Sequence, residues 1–120
     1  MKTHKLGQDG EAFAQDFLLK QGYKILAANY RVKVGEIDLV ADDHGTIAFV
    51  EVKTRQQDGW DAFEAVGPAK QRRMIRAATQ YLVETFGRED VQSRFDVLAV
   101  WSGDDGTLTG DLLKNAFSVS

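Results

Sequence analysis

The sequence predicts an α/β fold: a mixed central sheet flanked by helices, with elements in the order α-β-β-β-α-β-β. Three observations carry this expectation. Residues 7–22 and 68–86 place apolar side chains at helical spacing. Residues 23–30, 34–41, 46–54 and 94–101, with a weaker run at 107–113, have the length and composition of strands. The second helical stretch separates two of these runs, so it reads as the crossover of a parallel pair.

The first helix, GQDGEAFAQDFLLKQG, has an apolar stripe of Phe13, Ala14, Phe17 and Leu18, and Gly22 suits the position just past its end. Glu11 lies in its first turns, at the edge of that stripe. It either interacts with the helix N-terminus, for about 0.3–1 kcal/mol, or aims a carboxylate at the sheet. The strand YKILAANY follows at 23–30. The next two strands are joined by the turn cluster Asp42-Asp43-His44-Gly45 and form an antiparallel hairpin. Alternation puts Glu36, Asp38 and Val40 on one face, and likewise Ile47, Phe49, Glu51 and Lys53. Ala48, Val50 and Val52 point the other way, as in a central strand covered on both sides.

Residues 55–67 read as a loop, in which Asp61 and Glu64 have capping-box spacing. Trp60 and Phe63 there either anchor the loop or stack on bases. The second helix begins with Pro68 at its first position and buries Met74, Ile75, Ala78, Tyr81 and Leu82. Arg72, Arg73 and Arg76 fall on the opposite face. Lys70 heads the inward side, where it either snorkels outward or reaches the same centre as Lys53. Asp96, in the strand 94–101, reads as an inward structural polar contact.

A chain of 120 residues fits one domain and can bury a sizeable core. It has no cysteine, so disulfides and thiolate metal sites are excluded. No signal peptide is visible, and the apolar runs are too short to span a membrane, so a cytoplasmic location is expected. The net charge of −3 argues against a surface that grips nucleic acid all over. It leaves room for a local basic patch beside an acidic centre.

The chemistry concentrates in residues 36–53. Charges in the middle of apolar strands are costly unless paired or bound to something. Asp38 and Glu51 can share a face about 5 Å apart. There they repel by about 3 kcal/mol at an effective dielectric near 20. A shared proton, a nearby cation or a bound divalent metal relieves that repulsion. With no cysteine, and with His4 in the N-terminal tail and His44 in a turn, the donors favour Mg²⁺ or Mn²⁺ over zinc. A lysine beside two carboxylates is a poor free base, so Lys53 suits orienting a water and stabilising developing charge. As a bare pattern, Asp-x12-Glu-x-Lys is weak.

The pattern nonetheless resembles the PD-(D/E)XK nuclease signature, and the chain is similar to the YraN-like family of small bacterial proteins. Those are predicted endonucleases related to archaeal Holliday-junction resolvases. The likeness runs through Gly7, Gly10-Glu11, Asn29-Tyr30-Arg31, Gly35-Glu36-Ile37-Asp38, Phe49-Val50-Glu51-Val52-Lys53-Thr54-Arg55, Lys70, Arg94-Phe95-Asp96 and Asn115-Ala116-Phe117. Ile37 stands where the nominal motif has proline.

The resemblance implies a restriction-endonuclease-like fold and metal-dependent cleavage of DNA, including branched or damaged DNA. Asp38 and Glu51 would be metal ligands, Lys53 the catalytic lysine, and Glu11 an accessory acid and further ligand, with Lys70 reaching the same point. Arg31, Arg55, Lys70, Arg72, Arg73 and Arg76 would hold the nucleic-acid backbone, with salt-dependent affinity. Likeness to dimeric resolvases points to a homodimer. Two other readings stay open: a non-catalytic nucleic-acid-binding module that keeps the fold, and a buried ion network of structural charges.

Overall fold

The apolar runs assemble into α1 (Lys2–Lys20), β1 (Lys24–Val32), β2 (Gly35–Asp43), β3 (Thr46–Arg55), α2 (Pro68–Phe86), β4 (Ser93–Ser102) and β5 (Leu108–Phe117). This computed structural model describes residues 2–55 and 66–118, with side chains left out of the description at 2–9 and at Arg55. Trp60, Phe63 and the Asp61–Glu64 spacing therefore lie outside the described residues. The element order is the expected one. The α1 helix starts several residues earlier than its apolar stripe suggests, since nothing in Lys2–Leu6 breaks a helix.

One five-stranded sheet runs in the order β1-β2-β3-β4-β5. The β3–β4 pair is parallel and every other pair antiparallel. The parallel pair follows from its connection: α2 occupies the crossover, so β4 must restart at the same end as β3.

Each sheet face carries its own core. On one side, Ala14 and Leu18 of α1 pack on Leu39, Ala41, Ala48, Val50, Leu98 and Val100. On the other, Met74, Ala77, Ala78, Tyr81 and Leu82 of α2 pack on Ile37, Val40, Ile47, Phe49, Phe95 and Val97. The alternation expected for β3 is therefore present: Ile47 and Phe49 face α2, and Ala48 and Val50 face α1. Phe49 is fully buried, with Tyr81 edge-on at 6.0 Å and Phe95 stacked at 5.5 Å between ring centroids.

Alternation fails in β2, which corrects one expectation. Ile37 and Val40, three positions apart, both join the α2-side core, with Leu39 between them on the α1 side. In β1 the same happens, because Ala27 and Tyr30 both pack toward α2. The cause sits between the pairs Ala28↔Leu39 and Tyr30↔Ile37, where the ladder skips Asn29 and Asp38. Asn29 adopts φ 54°, a left-handed conformation that asparagine tolerates better than most residues, and it rotates the strand there. Glu36 consequently does not share a face with Asp38; it is exposed and pairs with Arg31 at 3.3 Å.

The α2 helix is fixed at both ends. Gly67 and Pro68 open it, and Gly87, at φ 75°, closes it with an N–H donated to the Val83 carbonyl at 2.9 Å. Its first turns lie hard against the start of β2. A Cβ on Gly35 would stand 2.3 Å from the Arg73 carbonyl oxygen, so only glycine lets the two backbones approach this closely.

Candidate active site

The pairing of β2 with β3 ends at Leu39↔Val50. Beyond that point the Val52 N–H donates to Asp38 Oδ2 at 2.8 Å, so a side chain takes over from the ladder where the strands part. The kink at Asn29 and Asp38 is what frees Asp38 for this bond. Its carboxyl is thereby held beside Glu51, in the fork between two diverging strands.

Glu51 lies on the α2 side of β3 and is 2% exposed. Its Oε2 accepts from Lys53 Nζ at 3.1 Å and from Lys70 Nζ at 3.0 Å. Lys53 comes from the same strand, two residues on; Lys70 comes from the first turn of α2. Of the two courses open to Lys70 in the sequence, it takes the one toward the Lys53 centre. The other Glu51 oxygen, Oε1, is buried and receives no hydrogen bond among the described residues. A buried carboxylate oxygen without a donor is an expensive group that invites a cation or a proton.

The neighbouring carboxyl bears the strain. Burial, and then the Glu51 charge, push the Asp38 pKa up to about 7. The Val52 N–H and the Lys70 charge pull the other way without restoring an ordinary value. Two carboxyls thus share one desolvated fork, and the two lysines on Glu51 leave Asp38 well above its ordinary value. Their hard oxygen donors, with the unpartnered Oε1, fit Mg²⁺ or Mn²⁺.

The remaining expected site residues divide. Glu11 is exposed on α1, which packs on the sheet face opposite Lys70. Among the described residues no three His, Asp or Glu side chains are grouped so as to hold an ion, so Glu11 does not complete a set with Asp38 and Glu51. Arg31, Arg72, Arg73 and Arg76 are exposed, and the Arg55 side chain is outside the described residues. His44 is exposed in its turn, with Nδ1 2.9 Å from Asp43 Oδ1.

A second charge cluster is structural. Arg94 bonds Asp96 (3.0 Å), Asp43 (2.7 Å) and the Tyr23 hydroxyl. Asp96, fully buried, also accepts from the Asn115 N–H at 2.9 Å. The inward contact expected of Asp96 is this one. Sequence reasoning missed Asp43 and Tyr23 as partners of Arg94, and Lys114 as a partner of Asp43 at 3.6 Å, because they come from separate parts of the chain and share no local pattern.

Fold and centre together define an α/β protein of restriction-endonuclease-like topology, with a buried carboxyl pair and two lysines where the sheet forks. A family model described as "Uncharacterised protein family UPF0102" matches residues 10–100, and the chain belongs to that family. It is 47% identical over 116 residues to UPF0102 protein STH1475 of Symbiobacterium thermophilum, covering 96% of this chain and 98% of that one. A UPF0102 protein of Desulfosudis oleivorans is 42% identical over 120 residues, covering 99% and 94% of the two chains. One of Chlorobaculum parvum is 48% identical over 101 residues, covering 82% and 76%.

Proposed function

We propose that this protein is a metal-dependent endonuclease that hydrolyses phosphodiester bonds in DNA, branched or damaged DNA included. The observation that carries the reading is Glu51: a buried carboxylate with one oxygen given no donor among the described residues, the other held by two lysines, and a second carboxyl hydrogen-bonding beside it. A plain lysine–carboxylate pair has no need of a second buried carboxyl beside it.

Asp38 and Glu51 would hold the ion, Mg²⁺ or Mn²⁺. The bound ion supplies Lewis-acid polarisation of the phosphate and a more acidic water. Lys53 and Lys70 converge on one point from a strand and a helix, which suits them to orient a water and to stabilise charge building on the phosphorane oxygens. Neither is cast as a general base, since a lysine against a carboxylate has its charged form favoured. DNA as the polymer is supported by the resemblance to resolvases.

The test is a panel of linear, single-stranded, flap and four-way-junction DNA with Mn²⁺. Glu51→Ala and Lys53→Ala are expected to lower cleavage by at least about 100-fold, as losing transition-state charge stabilisation does. Full cleavage by both variants would overturn the reading. A second reading has its own observation: Lys53 and Lys70 already balance much of the acidic charge, so the fold can serve as a non-catalytic nucleic-acid-binding module. Calorimetric titration separates the two, because absence of Mn²⁺ binding in wild type favours the module.

A further inference from the structure

Beside the Glu51 centre a groove of about 360 Å³ runs between the β1–β2 turn and the first turns of α2. Arg31, Lys33, Lys70 and Arg73 line it, with Glu36 the one carboxylate there among the described residues. In a chain of net charge −3 this is a marked local excess of cations. Lys33 was not among the cations singled out from the sequence; its signal was its place two residues from Arg31, before the glycine of a turn.

We infer that this groove is a backbone subsite that takes the phosphates of a nucleic-acid strand adjoining the one at Glu51; the inference rests on the nuclease reading. Three features argue for it. Lys70 belongs both to the groove lining and to the centre, through its 3.0 Å contact with Glu51, so a strand with one phosphate at Glu51 is led into the groove. Among the described residues Lys33 and Arg73 have no ion-pair partner, so their charges are available. Among the described residues Arg31 is held only by Glu36, in a pair whose side chains are 72% and 51% exposed. Such surface pairs are weak and salt-screened, and a phosphate can replace the carboxylate on the guanidinium. The groove is also preformed, because the contact between Gly35 and the Arg73 carbonyl fixes the turn against α2.

The same geometry sorts the α2 arginines. Arg73 faces the groove, whereas Arg76 borders a separate apolar depression with Val34, Ile75 and Val83. The strand therefore follows the β1–β2 turn, not the outer face of α2.

The test is binding, read apart from cleavage. Fluorescence anisotropy of a fluorescein-labelled DNA strand and duplex is followed in EDTA across a salt series. The proteins are wild type, Lys33→Ala, Arg73→Ala, the double variant, and Lys20→Ala as a control on α1. Each groove variant is expected to weaken binding about fivefold to tenfold at low salt and to lower the salt slope by about one, with Lys20→Ala unchanged. Groove variants that bind like wild type overturn the proposal, as does absence of wild-type binding. Displacement of DNA by millimolar inorganic phosphate, beyond the effect of sodium chloride at equal ionic strength, makes this a free-anion site and also overturns it. Cleavage of the same DNA with Mn²⁺ separates the two readings. Groove-dependent binding without cleavage removes the nuclease reading and keeps the groove only as a nucleic-acid backbone-binding surface. Cleavage with groove-independent binding does the reverse.

Discussion

Asp38 titrates in the opposite sense from most carboxyls of folded proteins. Its pKa, raised from 3.8 to about 7, means that the folded chain holds a proton the unfolded chain has released. The stability this proton contributes is full below about pH 4 and is lost as pH rises through about 7. Asp38→Asn is expected to remove that loss, so at about pH 8 in EDTA the variant should melt higher than wild type. Scanning calorimetry across pH checks it, and an unchanged pH profile in the variant would count against the assignment. Asp43 behaves conventionally. The His44 hydrogen bond, then that from Arg94, lowers its pKa to about 2. Its contribution is present above about pH 4 and lost as pH falls through about 2. Arg94 is held in its charged form against the cost of burial by its bonds to Asp96 and Asp43. Arg94→Ala strands a fully buried Asp96 with the Asn115 N–H as its remaining donor among the described residues. The expected cost is about 3–5 kcal/mol, measurable by urea unfolding.

Two glycines of similar appearance should respond differently at the level of elements. At Gly87 an added Cβ meets open space, but the backbone sits at φ 75°. Gly87→Ala should therefore cost about 1–2 kcal/mol of left-handed strain and nothing in packing. At Gly35 the Cβ collides with the Arg73 carbonyl, a backbone atom that cannot turn aside. Gly35→Ala should cost about 1–3 kcal/mol or more by overpacking. It should also displace Lys70, so DNA affinity falls with stability in this variant and not in Gly87→Ala. The α2 boundaries, Pro68–Phe86, were legible to the residue because proline and glycine mark them chemically. The phase break in β2 was not. Its cause is the φ of Asn29 on a different strand, and nothing adjacent to Asp38 announces it.

At the scale of the molecule, the two-sided burial of β3 and the shared face of Glu51 and Lys53 could be read from period-two spacing, whereas the place of Asp38 beside them depends on the break in β2. Lys70 could be placed only as one of two options, since its position depends on how α2 docks. Glu11 was drawn toward the centre by resemblance, but α1 covers the other face of the sheet, and spacing within a helix carries no information about which face it covers. The convergence of two lysines on one Glu51 oxygen has a consequence for the order of assembly. On the nuclease reading, Asp38 and Glu51 would hold a cation with the same carboxylate that restrains Lys53 and Lys70, and both lysines would then be free to turn toward a phosphate. The two ligands are then thermodynamically linked, and each must tighten the other by the same factor. Mn²⁺ affinity measured with a bound, uncleavable phosphorothioate strand should exceed that of the free protein, and Lys70→Ala should shrink the difference.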